Sequence, residues 1–498
     1  MFKNIKITAI CLALIFYANK SSAQNDADAL RYSMLNYGST ARSLAMGNSF
    51  GALGADFSNL SINPAGLGLY RRTEFTLSPM FSLRSINSEY RGNTNYDDAF
   101  KFSFGNFGAV FTMPNKKAGA SFKNWSFGFG YNKLNDFNAD NIALGNNTQH
   151  SLADNWLEQL DGVAPEDIPT TYPFDIDLAW QTFLIDTIGI NGQQYYYNQI
   201  PFAGTQQTRR VDSRGGQGEW VFSVGTNYQE KLFLGMTFGL STLEYNEESR
   251  WIEEDNADTI PGFKSFNYYQ SLNTSGTGFN MKFGAIYKPN DAIRLGLAIH
   301  TPTWMTLTDN YFTNIRTDLQ DGQLRTYDSP VYVPYVYELK TPFRVISSLG
   351  IIAGKSAAIN IEYEFLDYSQ SKMDDVDFTS NNYFYEVNSI IRSNYTTSHN
   401  FKAGAEIRNN NLRFRFGGLY STSPFSKNLN LEDAIDQASK GLTAGFGIKE
   451  ERFFIDFAFA HTQTGYYYQP YTLNNQEVSG ITSKQKDNRF LITIGFVL

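Results

Sequence analysis

Trp125-Ser126-Phe127-Gly128-Phe129-Gly130-Tyr131 places an aromatic ring at every second position, with only Ser or Gly between. Successive side chains of a strand point to opposite faces, so this stretch predicts a strand with one aromatic and one small face. The period recurs along the chain. Trp220, Phe222 and Val224 show it, then Leu232, Leu234, Met236, Phe238 and Leu240, with Gly235, Thr237 and Gly239 between. It continues in Phe279/Met281/Phe283/Ala285/Tyr287, Ile293/Leu295/Leu297/Ile299 and Ile359/Ile361/Tyr363/Phe365. Phe401/Ala403/Ala405/Ile407, Leu412/Phe414/Phe416, Phe453/Ile455/Phe457/Phe459 and Phe490/Ile492/Ile494/Phe496/Leu498 complete the regular set. With less regular runs near 73–91, 101–113, 337–354 and 440–449, about fourteen strands are expected. At ~10–15 residues each, they are long enough to cross a hydrocarbon core when tilted.

The connections sort by length. Gln229-Glu230-Lys231, Pro289-Asn290-Asp291, Gly354-Lys355-Ser356, Asn409-Asn410-Asn411 and Glu450-Glu451 read as tight turns. Long polar loops alternate with them, near 136–216, 247–275, 303–336, 369–396, 423–439 and 463–486. A transmembrane barrel keeps short turns on one side and long loops on the other, whereas a soluble sandwich has no reason to do so. The expected fold is therefore all-β: a transmembrane antiparallel barrel over 73–498.

Composition agrees. Aromatics make up 16% of the 498 residues and 40 are Gly, yet the mean hydropathy is −0.36, as expected when only one face of each strand is apolar. No run of ~18 apolar residues offers a membrane helix. The net charge of −8 argues against nucleic acid, whose phosphates need a basic surface.

Residues 1–23 read as a signal peptide: Lys3 and Lys6, a short apolar run from Ile7 to Tyr17, and small Ser21 and Ala23 before a cleavage at Gln24. The only cysteine, Cys11, lies inside it and lacks the surroundings of a lipoprotein site, so the mature chain has neither disulfides nor a Cys-based metal site. Export without a membrane helix, joined to a barrel, places the protein in the outer membrane of a Gram-negative bacterium.

If the aromatic faces meet lipid, the intervening positions face the lumen, and these carry the charges. Glu219, Arg294, Arg344, Glu362, Glu364, Lys402, Glu406, Arg408, Arg413, Arg415, Asp456 and Arg489 all fall on that face. Placing such groups in lipid costs ~2–4 kcal/mol each at mid-depth. Arg344, Glu362, Glu364, Lys402, Glu406, Arg413 and Arg415 form the densest cluster, read as a salt-bridged wall holding a plug, with contact to a passing solute as the alternative. Tyr131, Trp220, Tyr228, Tyr287, Trp304 and Tyr368 suit the aromatic girdles at the membrane surfaces.

Residues 24–72 do not alternate and are dense in Gly, Ala and Ser, which suits a compact plug, or hatch, inside the lumen. Gly38-Ser39-Thr40-Ala41-Arg42-Ser43-Leu44-Ala45-Met46-Gly47, Ala52-Leu53-Gly54-Ala55-Asp56 and Asn63-Pro64-Ala65-Gly66-Leu67 resemble the N-terminal hatch of FadL-type long-chain fatty acid and aromatic-hydrocarbon transporters, including members common in Bacteroidetes. Asn63-Pro64-Ala65 matches that family's NPA box, and Leu295–Trp304 and Tyr337–Arg344 are similar to further recurring stretches. The resemblance implies a fourteen-stranded barrel and passive uptake of a hydrophobic small molecule. The solute would bind an outer groove, move to an inner pocket and leave sideways into the bilayer past a kinked strand, for which Gly128 and Gly130 in the third strand are candidates. Ordinary strand glycine is the alternative reading of both. A branch of the family serves as a shuttle for cargo in type IX secretion, which keeps a non-transporting anchor or shuttle barrel as the competing function.

Within the longest loop, Leu152, Trp156, Leu157 and Leu160 share one helical face, with Ser151 as cap and Gly162 as stop. This helix is a candidate wall of the outer substrate groove, or a helix merely packed on the barrel mouth. His150, His300, His399 and His461 have no ligand spacing, and no nucleophile motif occurs, so neither a metal, a cofactor nor an enzyme activity is expected. The remaining expected partners are outer-membrane lipid and lipopolysaccharide, and the barrel-assembly machinery during biogenesis. A monomer is expected.

Overall fold

Alternation becomes hydrogen bonding in fourteen antiparallel strands that close on themselves. The computed structural model describes residues 25–147, 149–190, 193–200, 204–331, 334–376, 383–429 and 435–498. The expected signal peptide lies outside them. The strands are β1 (Glu74–Tyr90), β2 (Asn93–Pro114), β3 (Phe122–Asp136), β4 (Thr205–Tyr228), β5 (Leu232–Glu254), β6 (Ser265–Tyr287) and β7 (Ile293–His300, resumed at Trp304–Asp318). There follow β8 (Tyr335–Lys340, resumed at Arg344–Ala353), β9 (Ala357–Asp367), β10 (Thr397–Asn409), β11 (Leu412–Ser421), β12 (Ser439–Lys449), β13 (Phe453–Tyr468) and β14 (Ile481–Val497). Each pairs with the next, and β1 pairs with β14 from Glu74↔Val497 to Glu89↔Thr482, which removes the sheet edges.

The assignment of faces holds. Phe127 and Phe414 are each 43% exposed on the outside of the barrel, while Glu362 is 1% and Arg413 7% exposed on the inside. One girdle residue is misplaced by the sequence reading: Tyr368 follows β9 in a short turn and is buried in the lumen. Several stretches read as loops are paired strand. β5 runs on to Glu254, β6 starts at Ser265, and β13 and β14 reach Tyr468 and Ile481. Beyond the lipid both faces meet water, so alternation fades (Glu247-Glu248-Ser249-Arg250) while the ladder continues. The Arg91-Gly92 turn between β1 and β2 is the exception to the loop rhythm, a tight turn on the long-loop side.

β7 and β8 are interrupted side by side, at Thr301-Pro302-Thr303 and Thr341-Pro342-Phe343. Proline has no amide to continue a ladder. The two excursions bond each other instead: the Thr341 amide donates to the Thr303 carbonyl (3.0 Å), and the Thr303 amide to Thr341 Oγ1 (2.9 Å).

Candidate functional site: a plugged lumen

The N-terminal segment is folded inside the barrel. It carries helices α1 (Asp26–Ser33) and α2 (Ala41–Leu44), capped by Asn25 and Thr40, and two short turns at Phe57–Leu60 and Pro64–Leu69. Asn63 caps the second turn, accepting from the Ala65 amide (3.2 Å), and its Nδ2 donates to the Gly51 carbonyl (2.7 Å). Pro64 occupies the first helical position, where its missing amide costs nothing. The Asn63-Pro64-Ala65-Gly66 turn is pressed onto the wall. A Cβ on Gly284 would lie 2.0 Å from Asn63 Oδ1, and one on Gly235 2.1 Å from the Pro64 carbonyl oxygen. Only glycine allows that approach.

The charged cluster is largely a clamp on this plug. Glu362 accepts from the Gly51 amide (2.9 Å) and the Phe50 amide (3.3 Å), and Lys402 bridges Glu362 (3.3 Å) and Glu364 (2.9 Å). Arg344 pairs with Glu364 (2.7 Å) and donates to the Ser33 carbonyl. Glu406 receives Arg42 of the plug (3.0 Å) and Arg415 (2.7 Å), which also holds Asp456 (2.6 Å). Glu219, paired with Lys282 (2.6 Å), accepts from Ser61 (3.1 Å). Backbone amides and paired cations satisfy the buried carboxylates, so the network fixes geometry more than it adds stability. Arg413 stands apart, donating to the carbonyls of Asn410 (2.8 Å) and Leu412 (2.9 Å).

Above the clamp, α1 fills an apolar chamber. Its Ala29, Leu30 and Tyr32 pack with Phe137, Leu243, Tyr245, Leu307 and Tyr337 of the wall, and with Phe384, Val387 and Ile391 of the loop helix α4 (Tyr383–Asn394). Tyr32 meets Phe137 and Tyr245 edge-on, with centroids 6.0 Å apart in both cases. Burial pushes the Asp28 carboxyl up to about 7, although the Arg31 guanidinium beside it pulls the other way. The N-terminal helix thus joins the plug to an outer loop: Asp26 accepts from Tyr395 (2.8 Å) and Asn394 (3.1 Å).

The wall is not uniformly paired. β2 and β3 are bonded from Pro114↔Asn124 to Asn106↔Asn132 and no further. Beyond that point the plug takes over: the Gly38 amide donates to the Lys133 carbonyl (2.9 Å) and the Asn36 amide to the Leu134 carbonyl (2.7 Å). A Cβ on Gly105 of β2 would fall 2.6 Å from the Gly38 carbonyl oxygen, so the segment sits in the seam. The register shifts of β3 lie at Phe122/Asn124 and Lys133/Asn135, not at Gly128 and Gly130. Those two glycines face the plug, where added Cβ atoms would lie 2.6 Å from Leu60 and from Phe57.

The loop helix forms as its caps dictate: α3 spans Leu152–Gln159 with a reciprocal Ser151–Asp154 capping box, and Gly162 takes a positive φ of 78°. Leu152, Trp156 and Leu160 are buried in a solid outer cap with Tyr90, Trp251 and Tyr471, and only Leu157 sits at its margin. The four residues are brought together, but as core rather than as the lining of an open groove. The histidines also have structural partners: His150 meets Tyr471, His300 the Ile62 carbonyl, His399 Tyr363 and His461 Asn488. Among the described residues no three His, Cys, Asp or Glu side chains are grouped as for a metal ion.

Leu30 and Tyr32 are not singled out by the sequence, and Gly38 is marked only as the start of the hatch-like stretch. Short polar spacing around Leu30 and Tyr32 gives no strand or long-helix signal, and only the enclosing barrel makes them core.

No protein-family model matches the sequence, and no curated protein does. Solved structures do. A Pseudomonas aeruginosa FadL homologue is 10% identical, with 92% of this chain and 98% of that one covered at a TM-score of 0.55. The P. putida toluene transporter TodX is 12% identical, covering 93% and 99% at 0.53, and a deltaS2S3 mutant of TodX, a monoaromatic hydrocarbon channel, is 14% identical at 0.52 with the same coverage. Identity this low speaks to architecture alone, and at that level the chain has the fold of a FadL homologue and of a toluene transporter: a fourteen-stranded barrel closed by its own N-terminal segment.

Proposed function

We propose that this protein is an outer-membrane channel for passive uptake of hydrophobic small molecules, such as long-chain fatty acids or aromatic compounds. The observation that carries the reading is the chamber around Leu30 and Tyr32, an apolar space deep in a charged lumen and occupied by the chain's own α1. Burying such side chains is worth ~1.5–3 kcal/mol each, a gain that an apolar solute reproduces when it takes their place. The unpaired seam between β2 and β3 lies beside the same segment, held shut by Gly38. A solute that displaces α1 therefore pulls on the strip that closes a route to lipid. This route spares it a water-filled pore, in which it gains nothing. The hydrocarbon-channel neighbours support the reading through their shared fold.

The test is uptake of radiolabelled toluene and of dodecanoate by a Gram-negative host that lacks such a channel. Expression of the chain is expected to speed entry of at least one of them. Entry no faster than in host cells with empty vector, with the barrel assembled at the surface, would refute the proposal. A shuttle barrel would give that negative result together with a stable complex with an exported protein.

A further inference from the structure

A cavity of about 730 Å3 opens at the short-turn end beneath the plug. Its inner acids are already engaged, while Glu450, which accepts from Asn411 (2.8 Å), and Glu451 are exposed at its rim. Glu406 and Asp456 hold Arg42 and Arg415, Glu74 accepts from the Tyr70 hydroxyl (3.1 Å), and Asp56 accepts from Thr40 (2.8 Å) and Ser58 (2.6 Å). Its cations divide: Arg42 and Arg415 belong to those pairs, and Lys355 and Arg408 are exposed at the rim. Arg294, Arg413 and Lys449 line it from β7, β11 and β12, and none is in direct contact with a carboxylate among the described residues, although Glu74 acts on Lys449 and Glu406 on Arg413 at longer range. Arg294 reaches the Leu53 carbonyl with one nitrogen, while its Nε is buried with no acceptor. Arg413 uses one nitrogen on two backbone carbonyls, and Lys449 lies over the Phe454 ring, 5.2 Å from its centroid. Leu53, Ile352 and Phe454 supply an apolar side to the same space.

Three cations in direct contact with no carboxylate around one cavity favour an anion there, because each gains a charge-assisted bond that the protein does not provide. We propose that this vestibule binds the anionic end of an amphiphile, a carboxylate or phosphate, with its first carbons against Leu53, Ile352 and Phe454. Arg294 and Arg413 offer planar forks suited to either group, and Lys449 a point charge at the rim. The ligand is either the transported solute pausing on its way out or an amphiphile entering from the inner side. The first source rests on the uptake reading; the site itself does not.

The full chain in lipid nanodiscs is titrated with decanoate, with uncharged decanol and with inorganic phosphate. The proposal expects decanoate to bind at least ten-fold more tightly than decanol, and phosphate to compete with it. Arg294→Gln/Arg413→Gln/Lys449→Gln is expected to abolish that preference and leave decanol binding unchanged. The single Lys449→Gln change, at an exposed position, keeps the test valid if the triple variant assembles poorly, and should weaken decanoate several-fold. Equal affinity for decanoate and decanol, or decanoate binding that survives these changes, would overturn the site. Where the site stands, uptake by cells separates the sources. Slower decanoate entry with unchanged toluene entry in the triple variant assigns the ligand as transported solute; unchanged entry of both assigns it to the inner side. Absence of all uptake with decanoate binding intact would sink the channel reading and leave the vestibule site standing.

Discussion

Glu406→Gln tests whether the lumen charges hold the plug. The carboxylate lies between Arg42 of α2 and Arg415 of β11, at 3.0 and 2.7 Å. Glutamine keeps the shape but removes the charge, leaving two guanidinium groups facing each other. Removing one partner of a buried ion pair costs ~3–5 kcal/mol. The Glu406 side chain is 13% exposed and that of Arg42 25%, so solvent screening brings the expected cost down, to about 2–3 kcal/mol. At tenfold per 1.4 kcal/mol, the opened plug becomes roughly 30–140 times more populated. Hydrogen exchange of the amides of residues 41–48, in protein held in nanodiscs, reads that population directly. The strands of the wall act as internal reference and should not change. Arg42→Gln/Glu406→Gln removes the stranded charge on the plug as well, and its exchange should be slower than that of Glu406→Gln alone. Unchanged protection in Glu406→Gln would refute the clamp, and a double variant looser than the single one would refute its electrostatic origin.

Three further outcomes are expected. Gly284→Val drives a side chain into Asn63, so limited proteolysis should nick residues 51–72 in an assembled barrel while the parent resists; equal resistance contradicts the close approach of the Asn63-Pro64-Ala65 turn to the wall. Trp156→Ser with Leu160→Ser removes two fully packed side chains from the outer cap, at about 3–5 and 2–5 kcal/mol. The cap should then melt in a separate step below the barrel, and a single unshifted transition contradicts its reading as core. Asp28 makes the seating of α1 pH-dependent. Its carboxyl is raised to about 7 by burial, so the docked helix binds the proton more strongly than the released one. Docking is firmest at acid pH, weakens as pH rises from about 4 to about 7, and levels off above that. Glu247 and Asp309 face the same carboxyl and add to the shift. Asp28→Asn should flatten the profile of α1 protection measured by exchange, and an unchanged profile contradicts the assignment.

How much of this was legible in the sequence follows from what each part of the chain touches. Lipid on one side and a charged lumen on the other force strict alternation, so the spanning parts of β3, β5 and β11 could be read residue by residue. Once those strands leave the bilayer, both faces are wet and the signal disappears, which is why the upper ends of β5, β6, β13 and β14 read as loops. The inward direction of Glu362, Lys402 and Glu406 followed from periodicity, but their partners did not. That Glu406 holds Arg42, or that Arg413 stands outside the network, depends on segments hundreds of residues apart. Gly128 and Gly130 show the limit for glycine: a flexible position and one vacated for Leu60 and Phe57 read alike. α3 was visible through its caps, whereas its burial was not, since the cap is assembled from Tyr90, Trp251 and Tyr471, each remote in sequence.

Competition between α1 and an apolar solute for one chamber is tested most directly by hydrogen exchange of residues 26–33. With toluene or dodecanoate at saturation, the amides of α1 should lose protection while those of the enclosing strands keep theirs. Full protection of α1 with solute demonstrably bound would contradict the account.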